Sequence, residues 1–163
     1  MEESVSGNVN LRSSDLELVH DGSNQTIGIR FNSVDVPQGA SIVKAYVQFK
    51  VDETSSETTL LTIEGEGVDN AATFTTSDGN ISSRVKTSTN VSWSPAPWTT
   101  VGEAGSDQRT PDVSKIIQEI VDRPGWSSGN SHVLIITGTG KRVAESYNGD
   151  QRGAPILHVE YSI

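Results

Sequence analysis

The chain has 163 residues, no cysteine, and 21 acidic against 12 basic residues for a formal charge of -9. That length holds one domain with a sizeable core. The acidity makes nucleic acid and anionic membrane surfaces poor partners, and the missing thiols exclude disulfides and cysteine metal sites.

In chain order, residues 9–19 alternate weakly around Val9, Leu11, Leu16, Leu18 and Val19. Asp21-Gly22-Ser23-Asn24 is a turn signal, and Thr26 to Phe31 follows as a strand. Residues 41–51 form the clearest strand: Val43, Ala45, Val47, Phe49 and Val51 define an apolar face expected to be core. Leu60–Glu66 is another strand, and residues 67–80 read as loop interrupted by Phe74. Residues 81–93 contain a strand or two ending at Trp93. Ser94-Pro95-Ala96-Pro97 cannot be a central strand, because proline lacks the ladder donor. Gly102 to Arg109 reads as an exposed loop.

Residues 111–123 carry the one helical period, with Val113, Ile116, Ile117, Ile120 and Val121 on one face. Thr110-Pro111 is the expected start and Pro124-Gly125 the stop. His132 to Thr137, Val143 to Tyr147 and Pro155 to Tyr161 complete the set of strands. The expected fold is all-β: a two-sheet antiparallel β-sandwich, of jelly-roll type, with one short inserted helix. Residues 1–163 are expected to form a single domain, a module of a larger protein. The N-terminus carries no signal-peptide pattern, and no apolar run approaches membrane-spanning length.

Catalytic motifs do not emerge. His20, His132 and His158 form no compact ligand pattern, so zinc is not expected. Gly138-Thr139-Gly140-Lys141-Arg142 lacks phosphate-loop spacing and reads as a tight turn. Glu64 and Glu66 share one strand face, and a solvated face explains them better than a glycosidase pair. Arg30 and Arg84 lie in or near strands and should each meet a carboxylate if buried.

Calcium takes six to eight hard oxygens from loop carboxylates and carbonyls. Asp15 and Glu17 near the first strand and Asp150 near the last form one candidate set, since first and last strands of a sandwich are often neighbours. Asp52-Glu53 and Asp69-Asn70 form another, weakened because they lie toward opposite strand ends. Ordinary turn acids and salt bridges are the alternative. Trp98 and Trp126, both in loops, would offer flat apolar area to sugar rings, with Tyr147 as a further platform. Arg142 would hydrogen-bond hydroxyls, pair with a uronate or sulfate, or hold Asp150. The alternative for both tryptophans is a hydrophobic lid on the sandwich; Trp93 reads as core.

The stretches 42–49, 112–120 and 154–161, with Leu134-Ile135-Ile136 and Arg142 through Ser146, resemble bacterial jelly-roll carbohydrate-binding modules. The group in question is related to the alginate-binding modules appended to polysaccharide-degrading enzymes. The likeness covers scattered pieces of residues 15–161, and the long 94–109 loop and the Pro124-Gly125-Trp126 segment depart from it. It implies a non-catalytic module, extracellular or at the cell surface, binding a polysaccharide or oligosaccharide. It also implies tethering to a catalytic domain and, in some members, structural calcium. A structural or adhesive module of a surface protein is the alternative; a polysaccharide lyase or hydrolase is a third reading.

Overall fold

The computed structural model describes residues 1–163. It is an all-β arrangement of three antiparallel sheets with one short helix. The strands are β1 (Glu2–Ser4), β2 (Val9–Asn10), β3 (Asp15–Leu18), β4 (His20–Asp21), β5 (Ser23–Phe31) and β6 (Ser41–Gln48). They continue as β7 (Val51–Glu53), β8 (Leu60–Glu66), β9 (Lys86–Trp93), β10 (His132–Thr139), β11 (Arg142–Glu145) and β12 (Ile156–Ser162). The helix α1 spans Ser114–Val121.

The largest sheet has the order β2-β1-β5-β10-β8-β9, with β4 pairing to β5. The others are β3-β11-β7 and β12-β6. Because β6 and β7 are consecutive parts of one run, β11 and β12 pair with the same side of residues 41–53. Residues 146–155 leave that path as an excursion between β11 and β12.

The main core lies between the large sheet and the two smaller ones. Ile27, Ile29, Leu61, Ile63, Leu134 and Ile136 face Leu16, Leu18, Ala45, Val47, Phe49 and Val51. The helix covers one end with Ile116, Ile117, Ile120 and Val121, all buried. Gly65 makes room for it, since a Cβ there would stand 2.7 Å from Ile116 Cγ2. The large sheet is covered on its other face as well. The 67–85 loop folds over it and buries Ala71 and Ile81 against Val133 and Ile135. Burial on both faces explains why β10 reads as an unbroken apolar run rather than an alternation.

Three local expectations need correction. Val43 is 64% exposed, not core. A register irregularity in the β6–β12 ladder lies at Glu160/Tyr161, where Tyr161 pairs with Ile42 and leaves Val43 out. An extra residue of this kind reverses the inward and outward alternation. The helix begins at Ser114, not beside Pro111. Thr110 Oγ1 accepts from Val47 N at 3.0 Å and Asp112 Oδ1 from Ala45 N at 3.0 Å, so these polar groups serve the edge of β6. The stretch leading to the helix is not a free loop. Gln108 O accepts from Phe49 N, Glu103 O from Val51 N, and Gln108 itself is buried. The proline-containing segment thus seals the edge of β6 and β7.

Candidate functional site

The expected aromatic platforms do not gather at the surface. Trp98 is 0% exposed; its ring packs against Phe49 and Trp93, and its Nε1 donates to Asp107 O at 3.0 Å. Trp126 is 2% exposed, with Nε1 donating to Val36 O at 2.9 Å and its ring 4.5 Å from that of His132. Neither ring has a face a sugar could stack on. Arg142 is equally inaccessible. Its guanidinium donates to the carbonyl oxygens of Pro95 at 3.0 Å, Ala96 at 3.1 Å and Glu57 at 2.9 Å, and to Thr59 Oγ1 at 2.9 Å. It ties the 55–59 and 94–97 segments to β11, which is a structural task. Asp150 is held by Lys50 Nζ at 3.0 Å rather than by Arg142.

Tyr147 alone of the four is open, at 63% exposure. It stands at the wall of a cleft of about 360 Å³ whose lining includes Ser13, Arg30, Asn32, Phe74 and Asn148. The turn that presents it is pinned on both sides. Ser146 Oγ donates to Ser13 O at 2.8 Å, and Asn148 Nδ2 donates to Leu11 O at 2.8 Å. Gly149 lets the two segments touch: a Cβ there would lie 1.8 Å from Ser14 O. Across the cleft, Arg30 Nε donates to Ala71 O at 2.9 Å and Nη1 to Asn32 Oδ1. Phe74 rests on Gly28, where a Cβ would stand 2.7 Å from its Cζ, and Arg84 lies 4.5 Å from its ring centroid. Chemically the cleft offers the open ring of Tyr147 and the half-buried ring of Phe74, the amides of Asn32 and Asn148, the hydroxyls of Ser13, Thr73 and Ser146, the Asp15 carboxylate and the Arg30 guanidinium. That mixture suits reversible recognition of hydroxylated ligands.

Carboxylates concentrate next to this cleft. The oxygens of Glu2, Asp15 and Glu17 lie within 4.8 Å of one another, as do those of Asp15, Asp52 and Glu53. Asp15 belongs to both groups and also lines the cleft. Glu2 also accepts from Glu17 N at 3.0 Å, and Lys141 Nζ stands 3.3 Å from Glu17. Burial and then the charge of Asp21 push the Glu17 carboxyl up to about 7, against the pull of Lys141. Burial likewise raises Glu2, and burial with Asp52 raises Glu145. Either group could chelate a divalent ion. Asp15 and Glu17 meet here, Asp150 does not, and Glu2 was not foreseen. Asp69 is engaged by Arg123 at 2.6 Å.

The remaining candidates are structural. Glu66 is buried and ion-paired with Arg84 at 2.9 Å, so it is no part of a solvated face. Arg30 meets a carbonyl and an amide in place of a carboxylate. Arg30, Asn32, Phe74 and Asn148 escaped sequence reasoning because they come from three distant segments with no common spacing. No helix is long and apolar enough to cross a membrane. The chain matches no protein-family model and no curated protein.

Proposed function

We propose that the chain is a non-catalytic carbohydrate-binding module, its three sheets read as the two layers of a jelly roll. Tyr147 carries this reading: an exposed ring on a doubly pinned turn, lining a cleft with its neighbour Asn148 and with Arg30 and Asn32 of a distant segment. A rigid ring loses little on binding, and its face complements the C–H face of a pyranose. The carboxylates around Asp15 would take calcium, whose preference for hard oxygens fits Glu2, Glu17, Asp52 and Glu53. The resemblance noted above supplies the rest: a polysaccharide or oligosaccharide partner, attachment to a catalytic domain, and an extracellular or cell-surface setting.

Affinity electrophoresis across a polysaccharide panel, with calcium and with chelator, tests the reading. Retardation by at least one glycan, abolished in Tyr147→Ala while the fold is retained, supports it. A second reading, a structural or adhesive module, is favoured by the burial of Trp93, Trp98 and Trp126. It prevails if no glycan retards the protein.

A further inference from the structure

Resting on the reading of Tyr147 as a sugar platform, we infer that the ligand is a neutral linear glycan, bound along an internal stretch of chain rather than by its end. The Tyr147 cleft does not stop at its inner wall. A second hollow of about 480 Å³ adjoins it, sharing Arg30, Asn32 and Pro155, and the two together make the proposed trough. The second hollow runs between the 31–36 segment and β12, past Leu157 and Val159 to Tyr161. Tyr161 is 39% exposed, so the trough carries a partly open aromatic ring toward each end. β12 pairs with β6 on one side only, and its outer main-chain groups are left for a ligand. At ~3.3 Å per residue, β12 gives the trough room for several pyranose rings.

The polar groups in the trough select the class. Asn32 has its Oδ1 occupied by Arg30, which leaves its amide N–H groups to donate. Asn148 has its amide N–H donating to Leu11 O, which leaves its Oδ1 to accept. Free donors on Asn32 and a free acceptor on Asn148 match the dual character of a hydroxyl. Arg30 is the one basic side chain of the trough, and it is already engaged by Ala71 O and Asn32. Asp15 and Asp35 lie in opposite hollows. In the calcium-free protein a polyuronate, with a carboxylate on every sugar, would pass both acids on a chain of charge -9. Like charges across a binding face oppose association.

Isothermal titration with neutral β-linked gluco-, xylo- and manno-oligosaccharides, from disaccharide to hexasaccharide, tests the inference against oligouronates of matching lengths. Wild-type protein is compared with Tyr147→Ala and Tyr161→Ala, whose exposed side chains leave folding intact by circular dichroism. The expected result is binding of at least one neutral series, with affinity rising with length and unchanged when the reducing end is converted to an alditol. Tyr161→Ala lowers affinity for the longest chains by roughly tenfold and leaves the shortest untouched, whereas Tyr147→Ala weakens both. Tighter binding of oligouronates, loss of binding on end reduction, or affinity independent of length overturns the inference while sparing the module reading. Failure of both ligand classes overturns the module reading itself.

Discussion

His132 lies against Trp126, ring centroids 4.5 Å apart, and neither imidazole nitrogen has a hydrogen-bond partner. Burial holds its pKa down at about 4, below the ordinary 6.5. The unfolded chain therefore binds a proton that the folded one refuses. Stability contributed by neutral His132 is complete above pH 6.5 and is lost as pH falls toward 4. His132→Leu removes the titrating group and its two unsatisfied nitrogens. Thermal melts should show its stability at pH 7 equal to or above wild type, and a smaller loss on acidification. An equal acid loss in both proteins would refute the assignment.

Glu17 works in the opposite direction. Its carboxyl is raised from 4.5 to about 7 in the folded state, so the native protein holds the extra proton. Its contribution is fully favourable below pH 4.5 and disappears as pH rises through 7. Glu17→Gln should be more stable than wild type near pH 8, the gap closing below pH 5. Calcium should do the same for wild type by supplying positive charge, raising the melting temperature reversibly with chelator. Protons compete for the same oxygens, so the calcium effect should shrink as pH drops below about 7. A melting temperature indifferent to calcium at pH 8 would remove the cation from the account.

Trp98 and Tyr147 should separate stability from binding. Trp98→Ala empties a fully buried site and orphans Asp107 O, which should cost about 3–5 kcal/mol by chemical denaturation. Tyr147→Ala removes an exposed ring and should change stability by less than about 0.5 kcal/mol. Only the second substitution gives a clean binding experiment. Loss of glycan retention in Trp98→Ala would report unfolding.

Arg142→Lys tests whether that guanidinium is structural. Lysine keeps the charge but cannot reach the Pro95, Ala96 and Glu57 carbonyls together, leaving buried acceptors unpaired. The expected cost is about 2–4 kcal/mol, with glycan affinity of the surviving folded protein unchanged. A stable variant with lost affinity would return Arg142 to the binding site.

Gly149→Ala tests the pinning of the Tyr147 turn. Its new methyl would meet Ser14 O at 1.8 Å, so one of the two segments must withdraw. Weaker glycan binding and a lowered melting temperature are expected, with the fold retained by circular dichroism. Unaltered affinity would mean that the placement of Tyr147 does not matter.

Strands β6, β8 and β12 and the helix were legible from side-chain period, and β10 from its unbroken apolar run. Details set by other segments were not. Thr110 looks like a helix cap until β6 is seen to need its oxygen, while Asp112 serves both β6 and the helix start at Ser114. Val43 fits the apolar alternation, yet the ladder irregularity leaves it outside. Trp98 and Trp126 look free because their neighbours in sequence are polar, but their loops fold back over the core. The acids at 15 and 17 were visible, whereas Glu2 joins them through a main-chain bond fifteen residues away. The trough has no sequence signature, since Arg30, Asn148 and Tyr161 meet only once β5, the 146–150 turn and β12 are assembled.

β11 and β12 lie on the same side of one long strand, and the chain between them bulges out to carry Tyr147. Both ends of that detour are anchored in ladders that do not depend on its length. Positions in it that make no framework contact, Tyr147 above all, can therefore be exchanged at little cost, while Ser146, Asn148 and Gly149 keep the turn in place. This makes the detour the natural place to retune selectivity, whether by drift among descendants or by deliberate grafting.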